Sequence, residues 1–393
     1  MANTLLNTSM ILNAALPVLH QKLNFISTIN RSFDEEFGNR EMKIGATVNV
    51  RNPNQFTVTT GSAMNAQDVI ETTIPLTITT QKHIDIYFSS QDLALNIFDF
   101  TQQYLEPGMA ALAANVESDM VNSVALDVYN QVNGHGSPQS FRNVMTARKL
   151  LRDNLAPPDV YMARLNTQDN LDLVDSLKGL FQDSKNISEQ YKDGVMGKTA
   201  GFEFAENTFL NNYTRGAGNA AYTVNGAGQT GTALVIQTGA GALVRGDVFT
   251  IAGVNRVHPE TKVSTGVLQQ FVVAAAFAGG GGTVTISPSI VTTGAYQNVT
   301  ASPANAAAIT FAGTASTASG LSLAYHRNAF TFASVDLPIP KGADMAGRKR
   351  QDGLSLRLWR QGDIQNDRFP CRLDILYGFK TLRPQLAARL AAN

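Results

Sequence analysis

From Ile70 to Phe88 the chain alternates. In IETTIPLTITTQKHIDIYF the even positions Ile70, Ile74, Leu76, Ile78, Ile84, Ile86 and Phe88 are apolar, while odd positions include Glu71, Thr73, Thr77, Thr79, Gln81, His83 and Asp85. A period of two predicts a strand with one covered face. An earlier strand, about Lys43 to Thr59, is expected to pair with it across the Gly61–Gln67 turn. The ribbon Met42–Phe88 would then reach roughly 50 Å at ~3.3 Å per residue. Pro75 confines its strand to a sheet edge or an irregularity. A two-stranded ribbon is marginal alone in water, so this one needs a surface, its own subunit's or another's.

From Pro107 to Val132 the period lengthens. Met109, Leu112, Val116, Met120, Val124 and Val128 step by three or four along one face, with Glu117, Asp119 and Asp127 off that line. Pro107 suits a first turn and Gly134 a left-handed stop, which predicts one spine helix of roughly 40 Å. QDLALNIFDFTQQYLE leads into it helically. Beyond it, Phe141 to Leu155 reads as a helix stopped by Pro157-Pro158 and Val160 to Leu165 as a short strand. Asn166 is placed to cap the helix of TQDNLDLVDSLKGLF. Helix, strand and helix at these lengths predict an α+β or α/β core. Residues 1–37 form an arm with helical pieces, too apolar for a free tail, interrupted by Pro17 and closed by Asp34-Glu35-Glu36. Such an arm packs on its own domain or on a neighbouring subunit.

The pattern breaks between Asn211 and Gly320, which hold 17 of the 32 glycines. Charge there is confined to Arg215, Arg245, Asp247, Arg256, Glu260 and Lys262. The runs TALVIQT, DVFTIAGV, LQQFVVAAAF, TVTISPSI and AAAITFAG alternate with Gly, Asn, Ser and Thr turns, which predicts a small all-β barrel or sandwich. Mixed sequence resumes at LSLAYHRNAFTFASVDLPIP, so the β unit reads as an insertion. Trp359 and the alternating Leu373, Ile375 and Tyr377 read as strands closing the core sheet.

Charge excludes little and chemistry excludes more. Lysine plus arginine equals aspartate plus glutamate, 31 each, so net charge supplies no general attraction to nucleic acid or membrane. Charged residues are only 16% of the chain, against a usual ~25%, as suits a surface covered by neighbours. Cys371 is the single cysteine, so no intrachain disulfide is expected; with no basic leader at the N-terminus, the reading is a protein folded in the cytosol. Gly226-Ala227-Gly228-Gln229-Thr230-Gly231 fits the dinucleotide fingerprint in letters only, because a β-branched strand follows where a helix is needed. Arg245-Gly246-Asp247 reads as a tight turn rather than an adhesion tripeptide. His20, His83, His135, His258 and His326 have no zinc spacing, and no G-x-S-x-G elbow occurs. No catalytic, cofactor or metal residue is therefore assigned. Arg348-Lys349-Arg350 is the one basic cluster, open to packaged DNA, an acidic partner or solvent.

The ordered set of spine helix, TAGFEFAENTFL, RGDVFTIAGV and CRLDILYGFKTLRPQ, preceded by LHQKLNFISTINRSFDEEF and KIGATVNVRNPNQFTV, resembles the coat proteins of short-tailed phages of the Salmonella-phage type. The resemblance implies a Hong Kong 97-like capsid fold of class α+β, with N-arm, extended β-loop, spine helix and axial domain, and an inserted all-β barrel domain. Mapped here, it implies an arm at 1–41, the extended loop at 42–89, a peripheral domain at 90–139, axial parts at 140–210 and 323–393, and the insert at 211–322. The function implied is a major capsid protein, not an enzyme, that self-assembles as hexamers and pentamers of an icosahedral virion shell. Implied partners are a scaffolding protein, a portal and non-specifically held double-stranded DNA, with assembly in the host bacterial cytoplasm, procapsid maturation and no membrane. Lys43, Arg51, Ile74, Ile78, Lys82 and Ile84 are the expected intersubunit residues of the ribbon. Rival readings are a β-rich receptor- or glycan-binding virion protein and a cytosolic enzyme with an unrecognised site.

Overall fold

The structure is a computed structural model that describes residues 11–15, 17, 23–32, 47–62, 64, 66–68, 71–89, 106–177, 197–351, 354–363, 365 and 368–392. Lys43, Asp34-Glu35-Glu36, Ile70 and the helical run expected before Glu106 lie outside these residues. The chain divides into two compact units, one of 1–51, 73–120 and 330–380, the other of 52–72, 121–329 and 381–393.

In the first unit, Thr47–Arg51 pairs antiparallel with Thr73–Thr77. Val48 lies opposite Leu76 and Val50 opposite Ile74, so the alternation predicted from sequence does produce one apolar face. Val48, Val50 and Leu76 are buried within the chain itself. The expected single ribbon to Phe88 does not form. After Thr77 the chain re-enters as Thr80–Ser89 and pairs over its whole length with Arg368–Thr381. Gly378 marks the crossing, where an added Cβ would stand 2.4 Å from the Thr77 carbonyl oxygen. A partner strand some three hundred positions downstream thus takes over from the hairpin. That sheet runs Phe330–Val335, Arg368–Thr381, Leu354–Arg360, Met345–Gln351, with Thr80–Ser89 also on Arg368–Thr381. Fully buried Asp374 ties its strands, receiving Arg357, Arg372 Nε (2.6 Å) and Gln81 Nε2 (3.3 Å).

The spine helix is Glu106–Asp127, and its predicted stripe from Met109 through Val124 is buried. It ends earlier than expected, because Gln131–Asn133 is a strand parallel to Ala387–Ala391. Asn130 Nδ2 donates to the Ala387 carbonyl (2.9 Å) and Asn130 O accepts from Arg389 N (2.8 Å). Sheet pairing and two β-branched valines therefore outweigh one more helical turn. The described part of the arm packs on its own chain: the Phe25 ring lies tilted against that of Phe330 at 5.7 Å, and Phe25 donates its N–H to buried Glu117 Oε1 (2.9 Å).

In the second unit, Ser140 caps Phe141–Asp153 and Asn166 Oδ1 caps Thr167–Leu177, accepting from Asp169 N–H at 2.6 Å. A six-stranded sheet runs Gln131–Asn133, Ala387–Ala391, Leu321–Tyr325, Tyr161–Leu165, Phe202–Glu206, Lys198–Thr199. The Gly-rich span forms a second six-stranded sheet: Ile309–Phe311, Val248–Val257, Ser264–Val273, Gly282–Ile290, Gly231–Gln237, Thr223–Val224. Its first and last members meet, since Thr223 bridges Ala308 and Tyr222 O accepts from Ile309 N at 3.0 Å. Phe249, Phe271, Ile251, Ile286 and Tyr222 fill the space inside. This span is entered at Tyr213–Thr214 and left at Ala318–Ser319, and those two short strands pair as its neck.

Candidate assembly site

Only part of the expected ribbon remains open. Ile78 is buried and Ile84 half-buried, facing the chain's own elements: Ile78 backs onto Gly378, and Ile84 and Ile86 lie against Gly108 of the spine helix. Lys82 is held by Asp119, and its Nζ also donates to Asn115 O (3.1 Å). Ile74 is half-buried in the hairpin face. These four positions therefore make contacts within their own subunit, the strand that carries Ile84 being paired with Arg368–Thr381. Arg51 is exposed. Beyond it the loop 52–72 carries Phe56 (59% exposed), Val58 (97%) and Met64 (92%). Large apolar side chains left in water at one loop mark a contact surface more than scattered ones do.

Arg348-Lys349-Arg350 lies on the edge strand Met345–Gln351. Arg348 approaches Asp336 at 3.7 Å, and Lys349 reaches Asn13. The edge strand thus spends part of this charge within the subunit.

The other motifs resolve into structure. Gly226, Gly228 and Gly231 all have positive φ in a turn before a strand, and Gln229 fills that turn by accepting from Val235 N–H at 2.6 Å. In the Arg245-Gly246-Asp247 tripeptide, Arg245 Nη2 pairs with Asp127 at 2.6 Å and Asp247 is buried. Asp247 Oδ1 accepts from Tyr213 O–H (2.7 Å) and Gly216 N–H (3.0 Å), and Oδ2 accepts from Val244 N–H (2.9 Å). Burial and this carboxylate push the Tyr213 hydroxyl far above its ordinary value. Arg389, wholly buried, donates to Gly246 O at 2.8 Å and stands over the Tyr213 ring. Burial pulls its pKa down to about 10, with Tyr213, Asp247 and Asp127 opposing that fall. A tripeptide with its aspartate consumed in this way cannot present itself to a receptor. Burial pushes the Cys371 thiol up to about 12, so it is no nucleophile. No group of three or more metal-ligating side chains occurs among the described residues, and no described helix is long and apolar enough to cross a membrane.

The neck cluster was missed from sequence. Its members, from Asp127 and Tyr213 to Arg389, share neither spacing nor period, although charge is so scarce in the Gly-rich span that each charged residue there was a signal.

Comparison with known proteins follows the same lines. The family described as "P22 coat protein - gene protein 5" matches residues 10–389. Among solved structures, that of Mycobacterium phage Che8 is 13% identical, with TM-score 0.47, over 92% of this chain and 89% of that one. The capsid of Cyanophage P-SCSP1u is 12% identical, with TM-score 0.43, over 90% and 85%. The CUS-3 coat protein I-domain is 38% identical, with TM-score 0.19, over 24% of this chain and 96% of that one. No curated protein sequence matches. The family match spans nearly the whole chain, across both units and the Gly-rich span: the protein belongs to the P22 coat protein family and is a major capsid protein of a phage virion, a structural protein and not an enzyme.

Proposed function

We propose that this subunit builds its shell in the Hong Kong 97-like manner, with the Gly-rich span as an inserted β-barrel domain. The closing bridge between Thr223 and Ala308 supports the barrel reading. The copies would meet as hexamers and pentamers around double-stranded DNA, aided by a scaffolding protein and a portal and assembled in the host cytoplasm. Intersubunit contact is assigned to Arg51 and the loop 52–72, and to Lys43, which lies outside the described residues; Arg348, Lys349 and Arg350 are the residues proposed to meet DNA or a partner. One observation carries the contact assignment: Phe56, Val58 and Met64 stay exposed on the loop that follows a strand pair whose Val48, Val50 and Leu76 are buried. Burying a side chain of this size on a neighbour is worth about 1.5–3 kcal/mol.

The test is assembly of the full chain with and without Phe56→Asp and Val58→Asp together. The unaltered protein gives shells or large rings by negative-stain microscopy. The double variant stays soluble and melts like the unaltered protein, since neither side chain has a partner to lose at such exposure, yet forms no shells. Normal shells from the double variant would remove the loop from the contact.

A further inference from the structure

Two exposed surfaces of the second unit match each other in charge and in apolar content. The first is the loop 52–72, whose only charged residues are Asp68 and Glu71, both acidic. Its two arms brace each other, Asn52 N–H donating to Thr72 O and Thr57 N–H to Gln67 Oε1, each at 2.9 Å. That bracing sets Phe56 and Val58, on either side of Thr57, level with Asp68 beside Gln67. At ~3.3 Å per residue the arm from Asn52 to Gly61 can reach roughly 30 Å.

The second surface is the outer face of the helix Phe141–Asp153. Val144, Ala147 and Leu151 turn inward, while Arg142, Met145, Lys149 and Arg152, stepping by three or four, form an exposed stripe opposite. The stripe is about 15 Å long at 1.5 Å per residue. Among the described residues none of its three cations is held in an ion pair. The one carboxylate of the helix, Asp153, is taken by Arg256 at 2.9 Å. Leu155, just past the helix end, is also exposed.

We propose that the stripe of Arg142, Met145, Lys149 and Arg152 receives the loop 52–72 of a second copy of this chain. Asp68 and Glu71 then meet the cations, and Phe56 or Val58 meets Met145. The inference rests on the reading of that loop as an intersubunit contact, and it names the surface the loop meets. The same mixture stands on both sides at the same scale: an acid level with two apolar side chains, and an apolar side chain between cations. Other exposed apolar positions of the unit fit less well. Leu171 lies on the helix Thr167–Leu177, whose charges are Asp169, Asp172 and Asp175, so that helix would repel the loop. Val263 and Val267 share their hairpin with Glu260, and Lys262 there is held by the Ala295 carbonyl. A loop of one copy on a helix of the next is a head-to-tail contact, which closes into rings where the rotation allows.

Opposed charge reversals test this on the full chain, read by light scattering and negative-stain microscopy across subunit concentration. The loop reversal is Asp68→Lys with Glu71→Lys; the helix reversal is Arg142→Glu with Lys149→Glu and Arg152→Glu. Each sets like charges against each other, so each should raise the concentration needed for shells about tenfold or more. Joined in one chain they restore the attraction and should bring that concentration back to within about threefold of the unaltered value. Dispersed subunits should melt alike throughout, because the contact lies between copies. Should Glu71→Lys disturb the fold through its own contacts, Asp68→Lys alone takes its place. A helix reversal that assembles normally, or a joined variant no better than the loop reversal, overturns the inference. Melting that falls in both reversals and recovers in the joined chain would place the contact within one copy and overturn it too. A helix reversal that leaves assembly intact but abolishes retention of duplex DNA overturns it in favour of nucleic acid. If Phe56→Asp with Val58→Asp blocks shells while the helix reversal does not, the loop remains a contact and this acceptor falls; if neither blocks them, both readings fall.

Discussion

Replacing Asp247 by alanine should be among the most damaging single changes in the second unit. The carboxylate accepts three hydrogen bonds, from Tyr213 O–H, Gly216 N–H and Val244 N–H. A buried donor left without its acceptor costs about 1–3 kcal/mol. Gly216 is buried and bears that cost in full, whereas Tyr213 and Val244 are half-buried and water relieves part of theirs. The same deletion strips a carboxylate from beside Arg389, whose Nε and Nη1 have no hydrogen-bond partner. Breaking a buried charge cluster from one side costs about 3–5 kcal/mol, much of it the same desolvation seen from the other partner, so the figures overlap rather than add. The expected loss is therefore about 3–5 kcal/mol, a large share of a typical ~5–15 kcal/mol of stability. Urea unfolding of the full chain should show a lower midpoint at an unchanged slope. Asp247→Ala with Arg389→Met should lose less than the two single variants summed, since the second change removes the stranded charge. A loss under about 0.5 kcal/mol for Asp247→Ala, the range of an ordinary surface change, would refute the knot and return the tripeptide to the surface.

Two further outcomes follow from packing and burial. Gly239→Ala puts a methyl 2.0 Å from Tyr222 Cδ1, while the Tyr222 hydroxyl is fixed by Gly241 O (2.7 Å) and Gly280 N (3.2 Å). We expect a loss of about 1–3 kcal/mol or more in chemical denaturation, partly restored by Tyr222→Leu; equal stability would mean the ring yields freely. The Cys371 thiol, pushed up to about 12 by burial, should resist a disulfide reagent at neutral pH in the folded chain and react at once in urea. Rapid labelling without denaturant would contradict the buried strand position.

Local signals were read well where local physics decides. The stripe from Met109 to Val124, the Asn166 cap and the strand runs of the insert each arise from side chains within one turn or one strand. The sequence reading failed where a distant partner decides. Nothing near Ile84 announces that its strand will join Arg368–Thr381 rather than extend a hairpin, and the apolar even positions fit either outcome equally. The helix end failed for the same reason, since Val128 and Val132 suit both a stripe and a strand. In this chain the period identified the covered face and left open which element covers it.

Charge in the insert repays a different reading. Of its six charged residues, Arg215, Arg245, Asp247 and Arg256 take part in the neck cluster or in ion pairs to Asp127 and Asp153. Lys262 adds a further tie, donating to the Ala295 carbonyl at 2.5 Å. A span with so few charges keeps its core apolar and uses nearly all of them for direction. Apolar contact at the neck is too small to fix an angle, and non-directional attraction cannot fix one in any case. Ion pairs and paired amides can, because each bond tolerates little error in distance or angle. The scarcity that first made the span look inert therefore points to where its orientation is set. It also makes that orientation sensitive to single substitutions at positions far apart in the chain, from Asp127 to Arg389.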